Sequence, residues 1–344
     1  VGISVAGKRL LQRSDTDNDG VITSVELGSG WKRYANLDTD RDKVLTKDEL
    51  KKMPLTYVSS GGKQLRNVVY KKVGAKALLL DFYFPELDDS RHKPVVVYTH
   101  GGGWAAGSKH GAGNASFDDV HTALLKKGFC VAAVNYRLVK KDGDSAMRDC
   151  VIDAKDAIRF LVAHREALGI DPARIFTFGD SAGGHLSQML LLSPADSFPG
   201  DPDLAKFSYE TVAGVSWYGP CDFEKVSLFN HNDRPDFRDR FGARILKPGT
   251  NPEEKSALYR EMSPIQYLSA ESPPLLMIQG DQDTTIPVKH AHYMKEKAAA
   301  AGAPVETLIV KNAGHNWRKV GADIEPSRDD IIKRTVGFFT GFLK

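Results

Sequence analysis

Apolar runs of strand length recur along most of the chain, at residues 65–73, 78–84, 94–99, 129–135, 174–178, 212–217, 275–279 and 305–310. Some are continuous rather than alternating, as in Pro94-Val95-Val96-Val97-Tyr98-Thr99, the pattern of a strand covered on both faces. Between them lie helical periods. Val151, Ala154, Ile158 and Leu161 recur at i, i+3, i+7 and i+10, one face of a helix that Gly169 ends. A last helix is expected over 327–342. Strands interleaved with helices predict an α/β fold: an eight-stranded, mostly parallel sheet, doubly wound and flanked by helices on both faces.

Two stretches break this rhythm. Residues 221–272 are rich in Asp, Arg, Asn and Pro, with Phe223, Phe229, Phe237, Phe241 and Tyr259 scattered among them. An interval that long between two strands predicts a cap or substrate loop. Residues 1–53 are acidic and punctuated by Gly and Asn, and 54–63 (PLTYVSSGGK) read as a linker. The expected organisation is a small N-terminal module, the linker, and a catalytic domain over 64–344.

Composition narrows the function classes. The 344 residues carry 47 basic and 44 acidic side chains, a net charge of +3 with no dominant basic stripe. That leaves nucleic-acid or anionic-membrane binding without an electrostatic argument. The longest apolar runs are far too short to span a bilayer. Three cysteines at spacings that match no zinc or redox motif are expected to be buried thiols. Val1 in place of an initiator Met predicts that something upstream has been removed or trimmed, a signal peptide being one candidate.

The chemistry concentrates at the ends of strands. Residues 174–178 run into Gly179-Asp180-Ser181-Ala182-Gly183-Gly184, and a helical pattern follows. This is G-x-S-x-G in a strand–turn–helix context, which raises a serine on a sharp turn at a helix N-terminus. After residues 94–99 comes His100-Gly101-Gly102-Gly103-Trp104. Gly102 and Gly107 have phosphate-loop spacing, but Ser108-Lys109 reverses the required Lys-Ser/Thr order. An oxyanion loop fits better, with the N–H groups of Gly102, Gly103 and Ala182 converging on a carbonyl oxygen.

A serine nucleophile needs a base, and the base needs a carboxylate to orient it. Asp283 follows the seventh run and His315 the eighth, at the same sheet edge as Ser181. Asp281 and Asp222 compete with Asp283 for the acid. Among the other histidines, His185 and His100 read as packing and loop residues, while His290 and His292 face different sides of one helix. The reading is a Ser181–His315–Asp283 triad that needs no cofactor.

These motifs, in this order, resemble the α/β-hydrolase superfamily. HGGGW with GDSAGG is similar to hormone-sensitive-lipase-like carboxylesterases and to acetyl-xylan and feruloyl esterases. The resemblance covers residues 64–344 and implies hydrolysis of carboxylic esters. The cap that usually precedes the hydrolase domain in the lipase-like relatives is replaced here by the acidic module. The polar insertion points away from triglycerides and toward short-chain esters, acetyl or feruloyl esters of polysaccharides by analogy. Two rivals are an arylformamidase-like amidase with the same triad, and a calcium-dependent binding module on an inactive hydrolase fold.

In the module, residues 15–26 (DTDNDGVITSVE) fit the EF-hand loop. Asp15, Asp17, Asp19, the carbonyl of Val21 and Glu26 are the expected calcium ligands, with Gly20 at the sharp turn. Residues 38–49 (DTDRDKVLTKDE) repeat the pattern through Asp38, Asp40, Asp42, Val44 and Glu49, but Lys43 replaces the glycine. Ile22 and Leu45 hold equivalent loop positions and are expected to pair. The result would be a compact bacterial type of EF-hand pair holding structural Ca2+, packed on the catalytic domain. Loops of this kind fill at millimolar calcium, which with the missing Met predicts a secreted or periplasmic location.

Overall fold

A computed structural model of the chain describes residues 10–11, 14–35, 37–51, 63–85, 92–111, 116–140, 143–230 and 239–343. The chain divides into two compact units, Val1–Val58 and Ser59–Lys344. Nearly all of the expected linker, 54–62, and Phe237 of the insertion lie outside the described residues.

The larger unit is built on one eight-stranded sheet: β1 (Gln64–Val73), β2 (Lys76–Tyr83), β3 (Lys93–Thr99), β4 (Cys130–Val134), β5 (Ile170–Asp180), β6 (Thr211–Trp217), β7 (Leu275–Gly280) and β8 (Val305–Val310). Their spatial order is β8-β7-β6-β5-β3-β4-β2-β1. β1 and β2 form a hairpin, β2 runs antiparallel to β4, and every other pairing is parallel. All eight expected strands are present. β5 reaches further back than its apolar run because its first residue pairs with Lys93 before a register shift restores the ladder at Val95 and Ile175.

Both faces are covered, and side-chain alternation explains why β3 reads as continuously apolar. Val95 and Val97 join a core with Phe82, Ala132, Ile175 and the Ala154, Ile158 and Leu161 stripe of helix α2 (Met147–Ala163). The intervening Tyr98 meets Phe117 of α1 (Ser116–Lys126) at 5.3 Å. On the same side Phe176 meets Phe339 of α5 (Arg328–Thr340) at 5.6 Å. Each fully buried ring or Leu-sized side chain contributes about 1.5–3 kcal/mol, so this two-sided core carries most of the stability. α3 (Ala182–Leu192) lies on β5 and β6, and α4 (Lys289–Ala301) on β7 and β8. The α2 helix turns once more through Arg165–Leu168 and ends at Gly169, whose φ of 64° requires glycine or a strained residue.

The periodicity marked one face of α2, yet its other faces are buried too. Lys71 Nζ lies 2.9 Å from Asp153 and 2.7 Å from Asp156, while Arg137 and Arg159 complete the pairing of the same two carboxylates. A charged face can go inside only when its charges are satisfied: these carboxylates and cations pair with one another, and buried Lys155 donates to Pro194 O (2.6 Å) and Ser197 Oγ (3.1 Å). The three cysteines are buried and free, as expected.

The topology places the site. From β3 the chain crosses to β4 on one side and to β5 on the other, so the loops leaving the C-terminal ends of β3 and β5 face each other across the crevice. Those loops carry HGGGW and the Ser181 turn.

In the smaller unit, Ile22–Thr23 pairs antiparallel with Val44–Leu45, and Ile22 stands opposite Leu45 as expected. These two side chains are fully buried with Leu10, Tyr34, Leu37 and Leu50 in a separate small core. The helix after the first loop lasts only Ser24–Leu27 before Gly28 breaks it.

Candidate active site

Close approach of backbones builds the serine turn. Ser181 has φ 53° and ψ −118°, and its N–H donates to Trp217 O at 2.8 Å. A Cβ at Gly179 would overlap Gly183 O, and one at Gly183 would overlap Thr99 O. Glycine is therefore demanded by space at both positions, as G-x-S-x-G implies. Thr99 Oγ1 donates to Gly183 O at 2.8 Å and ties the turn to the end of β3.

The structure brings Ser181, His315 and Asp283 together from the ends of β5, β8 and β7. With its proton on Nδ1, His315 donates to Asp283 Oδ2 at 2.7 Å and accepts from Ser181 Oγ at 3.1 Å. Asp283 is buried, and its Oδ1 accepts from the N–H groups of Thr285 (2.8 Å) and Ile286 (2.9 Å). Gln279 Nε2 donates to Asp283 Oδ2 and to Ile286 O. The carboxylate is thus fixed on every side and presents one lone pair to the imidazole.

The two rival acids are occupied elsewhere. Asp222 caps the start of the insertion by accepting from the N–H groups of Glu224 and Lys225. Asp281 accepts from Ala313 N at 3.4 Å.

Gly102 and Gly103 line a cleft of about 220 Å³ with Trp104, Asp180, Ser181, Phe241, Thr285, Ile286, His315 and Asn316. Their φ angles are 116° and 60°, and among the described residues their N–H groups donate to no recorded acceptor. Ala182 opens α3, where the first N–H groups have no partner within the helix. All three sequence-expected oxyanion donors therefore sit around Ser181.

Three residues support the site in ways the sequence did not show. Asp180, the residue before the serine, is buried and accepts from Tyr98 Oη (2.9 Å) and Gly101 N (2.8 Å). Burial raises its carboxyl to about 6. It stitches the glycine loop to the serine turn. His185, read as packing, does more: its Nδ1 accepts from Trp104 Nε1 (3.2 Å) and its Nε2 donates to Met262 O (2.8 Å). Burial lowers it to about 4, so both ring nitrogens stay in those bonds at neutral pH. Gln279 is the third. A polar residue in the apolar run Leu-Leu-Met-Ile-Gln, just before the acid turn, was the available signal.

His100 stabilises its loop, as read: Nδ1 lies 2.7 Å from Gly101 O and the ring stacks on Tyr136. His290 is buried and His292 exposed, so they do face different sides. The insertion, read as a cap or substrate loop, is polar in composition yet anchored by apolar side chains. Phe223, Phe229, Tyr259 and Met262 belong to the buried cluster around Trp104, Leu186 and Met189, and among the described residues Phe241 alone of its aromatics lines the cleft. Its polar sequence conceals these anchors because they are scattered singly or beside one leucine among Asp, Glu, Arg, Asn and Ser.

In the smaller unit, Asp15, Asp17 and Asp19 offer carboxylate oxygens within 4.8 Å of one another, as do Asp38, Asp40 and Asp42. An all-oxygen donor set suits a hard cation. Asp38 Oδ1 is buried without a hydrogen-bond partner among the described residues, which fits a cation rather than a solvated turn. Glu26 accepts from the N–H groups of Thr16 and Thr23, both at 2.7 Å. Led by the Thr23 bond, these hold its carboxyl down at about 2. Glu49 accepts from Thr39 and Thr46 in the same way. The left-handed positions also repeat: Asn18 and Gly20 at φ 59° and 87°, Arg41 and Lys43 at 65° and 66°.

Known proteins of similar sequence and fold are esterases. The chain is 30% identical over 60% of its length to the probable carboxylic ester hydrolase LipM of Mycobacterium tuberculosis, covering 45% of that protein. It is 30% identical to esterase LipC of the same organism over 70% of this chain and 57% of LipC. The chain thus spans about half the length of these relatives. Among solved structures, the propionate-bound esterase Est2 of Thermogutta terrifontis matches with a TM-score of 0.62 and 27% identity, over 82% of this chain and 93% of that one. A truncated carbohydrate esterase from gut microbiota shares the fold with a TM-score of 0.65 at 23% identity, covering 81% of this chain and 95% of that one. A family model, BD-FAE, matches residues 80–298, from β2 through the serine turn and the acid loop into α4. With an α/β-hydrolase sheet and that match over most of its length, the chain belongs to the BD-FAE family.

Proposed function

We propose that this chain is a serine carboxylesterase acting on short-chain esters, with acetyl or feruloyl esters of polysaccharides as the natural substrate class. The observation that carries the reading is the run of hydrogen bonds from Ser181 through His315 to Asp283 at the foot of a cleft rimmed by oxyanion glycines. Ser181 Oγ attacks the ester carbonyl while His315 Nε2 takes its proton. The oxyanion rests on the N–H groups of Gly102, Gly103 and Ala182, each worth about 2.7–4 kcal/mol in the transition state. His315 returns the proton to the leaving alcohol, which departs and leaves an acyl group on Ser181. Water, deprotonated by His315, then releases the acid. Asp283 keeps the proton on Nδ1 and stabilises the imidazolium. The small cleft and the esterase names of the relatives support the substrate class.

The test is hydrolysis of p-nitrophenyl esters from acetate to decanoate. Turnover greatest at short chains, and organophosphonate labelling of Ser181, are expected. Absence of both would overturn the reading, and turnover of N-formyl substrates in place of esters would redirect it to an amidase.

In the smaller unit we propose that Asp15, Asp17, Asp19, Val21 O and Glu26 hold one Ca2+, and Asp38, Asp40, Asp42, Val44 O and Glu49 a second. Bound calcium would neutralise the crowded carboxylates and lock the paired loops. The expected result is a calcium-dependent rise in melting temperature that chelation reverses; calorimetry without a calcium heat would overturn it. A calcium-rich compartment, periplasmic or extracellular, suits such sites. No helix among the described residues is long and apolar enough to cross a membrane.

A further inference from the structure

One wall of the cleft comes from the insertion. Phe241 meets Trp104 edge-on with ring centroids 5.3 Å apart, and meets Phe229 at the same distance on its other side. It is wedged between an indole that is itself buried and the insertion's own core. The backbone around it is held as well. Arg240 Nη1 donates to Thr284 O (2.9 Å) and Thr285 O (3.2 Å), carbonyls of the loop that carries Asp283. Gly242 N–H donates to Asp239 Oδ1 at 2.9 Å, and Tyr259 Oη donates to the other oxygen of that carboxylate. A short strap, residues 239–242, therefore reaches from the insertion to the acid loop with Phe241 turned into the cleft.

We propose that Phe241 sets the length of acyl chain the site accepts, and that Arg240 is the clasp that holds it in place. This deepens the esterase reading and rests on it. The leaving alcohol has to face His315 Nε2, which gives it a proton, so the acyl chain is directed away from the imidazole. The cleft, at about 220 Å³, lies below the usual range for ligand pockets, and the Trp104–Phe241 pair closes part of what space there is. Trp104 cannot yield: it follows the oxyanion glycines directly and its indole N–H is fixed by His185. Phe241 is only partly buried and belongs to a segment that contributes no member of the triad, so it can change while the reacting groups keep their places.

The experiment measures kcat/KM on p-nitrophenyl acetate, butyrate and octanoate for the full chain and for Phe241→Ala, Phe241→Leu and Arg240→Ala. The octanoate-to-acetate ratio is expected to rise about tenfold or more in Phe241→Ala. It should return most of the way in Phe241→Leu and rise by a smaller factor in Arg240→Ala, mainly through KM for octanoate. An unchanged ratio in a folded Phe241→Ala protein overturns the proposal. So does a shift seen only when the alcohol is varied, from methyl to benzyl acetate. If Phe241→Ala fails to fold by circular dichroism, Arg240→Ala at its exposed position decides on the same ratio. A parent chain that turns over no ester overturns the esterase reading itself, a result distinct from an unshifted ratio.

Discussion

The serine turn and the two acidic loops ask the same thing of the backbone and answer it differently. Ser181 sits at φ 53°, and Arg41 and Lys43 sit at 65° and 66°, so non-glycine residues carry the left-handed strain in both regions. Around Ser181 the neighbouring glycines are nevertheless irreplaceable, because Thr99 O, Gly183 O and the Asp180 carboxylate fill the space a Cβ would need. At Gly20 a Cβ would meet only the flexible end of Lys47. Torsional strain costs about 1–2 kcal/mol per residue and can be absorbed; overlap with a buried carbonyl cannot. A missing glycine therefore counts heavily against a serine-turn motif and lightly against an acidic loop, which is why the second loop keeps the shape of the first.

The largest expected effect separates chemistry from strain at the turn. Ser181→Ala should lower ester turnover by about 10⁴-fold or more with the melting temperature nearly unchanged, since alanine faces the same φ. Residual turnover above a hundredth of the parent would detach the nucleophile from the turn.

Next, Gly183→Ala and Gly103→Ala test space against torsion. Gly183→Ala should cost more than about 3 kcal/mol in urea unfolding or abolish folding. Gly103, at φ 60° with open space around its missing Cβ, should cost only about 1–2 kcal/mol. Equal costs would break the comparison.

Acid should strike the serine-turn side. Burial lowers His100 and His185 to about 4, against an ordinary 6.5. Above 6.5 these rings are neutral folded or unfolded. Between about 6.5 and 4 the unfolded chain takes up protons that the folded chain refuses, so stability falls with pH across that window. At pH 5 each ring contributes roughly 2 kcal/mol of loss, and Asp180, raised to about 6, offsets part of it by binding a proton when folded. Unfolding midpoints at pH 7 and 5 measure the loss, and His185→Gln should shrink it. A midpoint independent of pH would refute the assignment.

The smallest effect lies in the second loop. Lys43→Gly should stabilise the smaller unit by up to about 1 kcal/mol, read as a higher melting temperature in calcium. A fall would mean that the Lys43 side chain, not its backbone, matters there.

Much of this was legible in the sequence. The eight strands, the serine turn, the glycine loop and the order Ser181, Asp283, His315 are local patterns, each written in a few adjacent residues. The pairing of Ile22 with Leu45 followed from their equivalent positions. What stayed hidden depends on partners far away in the chain. Asp153 and Asp156 look solvent-facing until Lys71, Arg137 and Arg159 arrive beside them. His185 looks like one more helical residue until Trp104 and Met262 close on its two nitrogens. Phe241 is one of several aromatics scattered through the polar insertion, and nothing in their spacing says which of them turns into the cleft.

The distance along the chain between Ser181 and His315, 134 residues, has a consequence for biosynthesis. The glycine loop leaves the ribosome first and Ser181 after it, and the imidazole follows Ser181 by roughly 7 to 27 seconds at ordinary rates of synthesis. Until β8 docks beside β7, the hydroxyl is an ordinary alcohol with no base to activate it. On the esterase reading, the strand whose following loop completes the site, β8, is also the last of the eight to be synthesised.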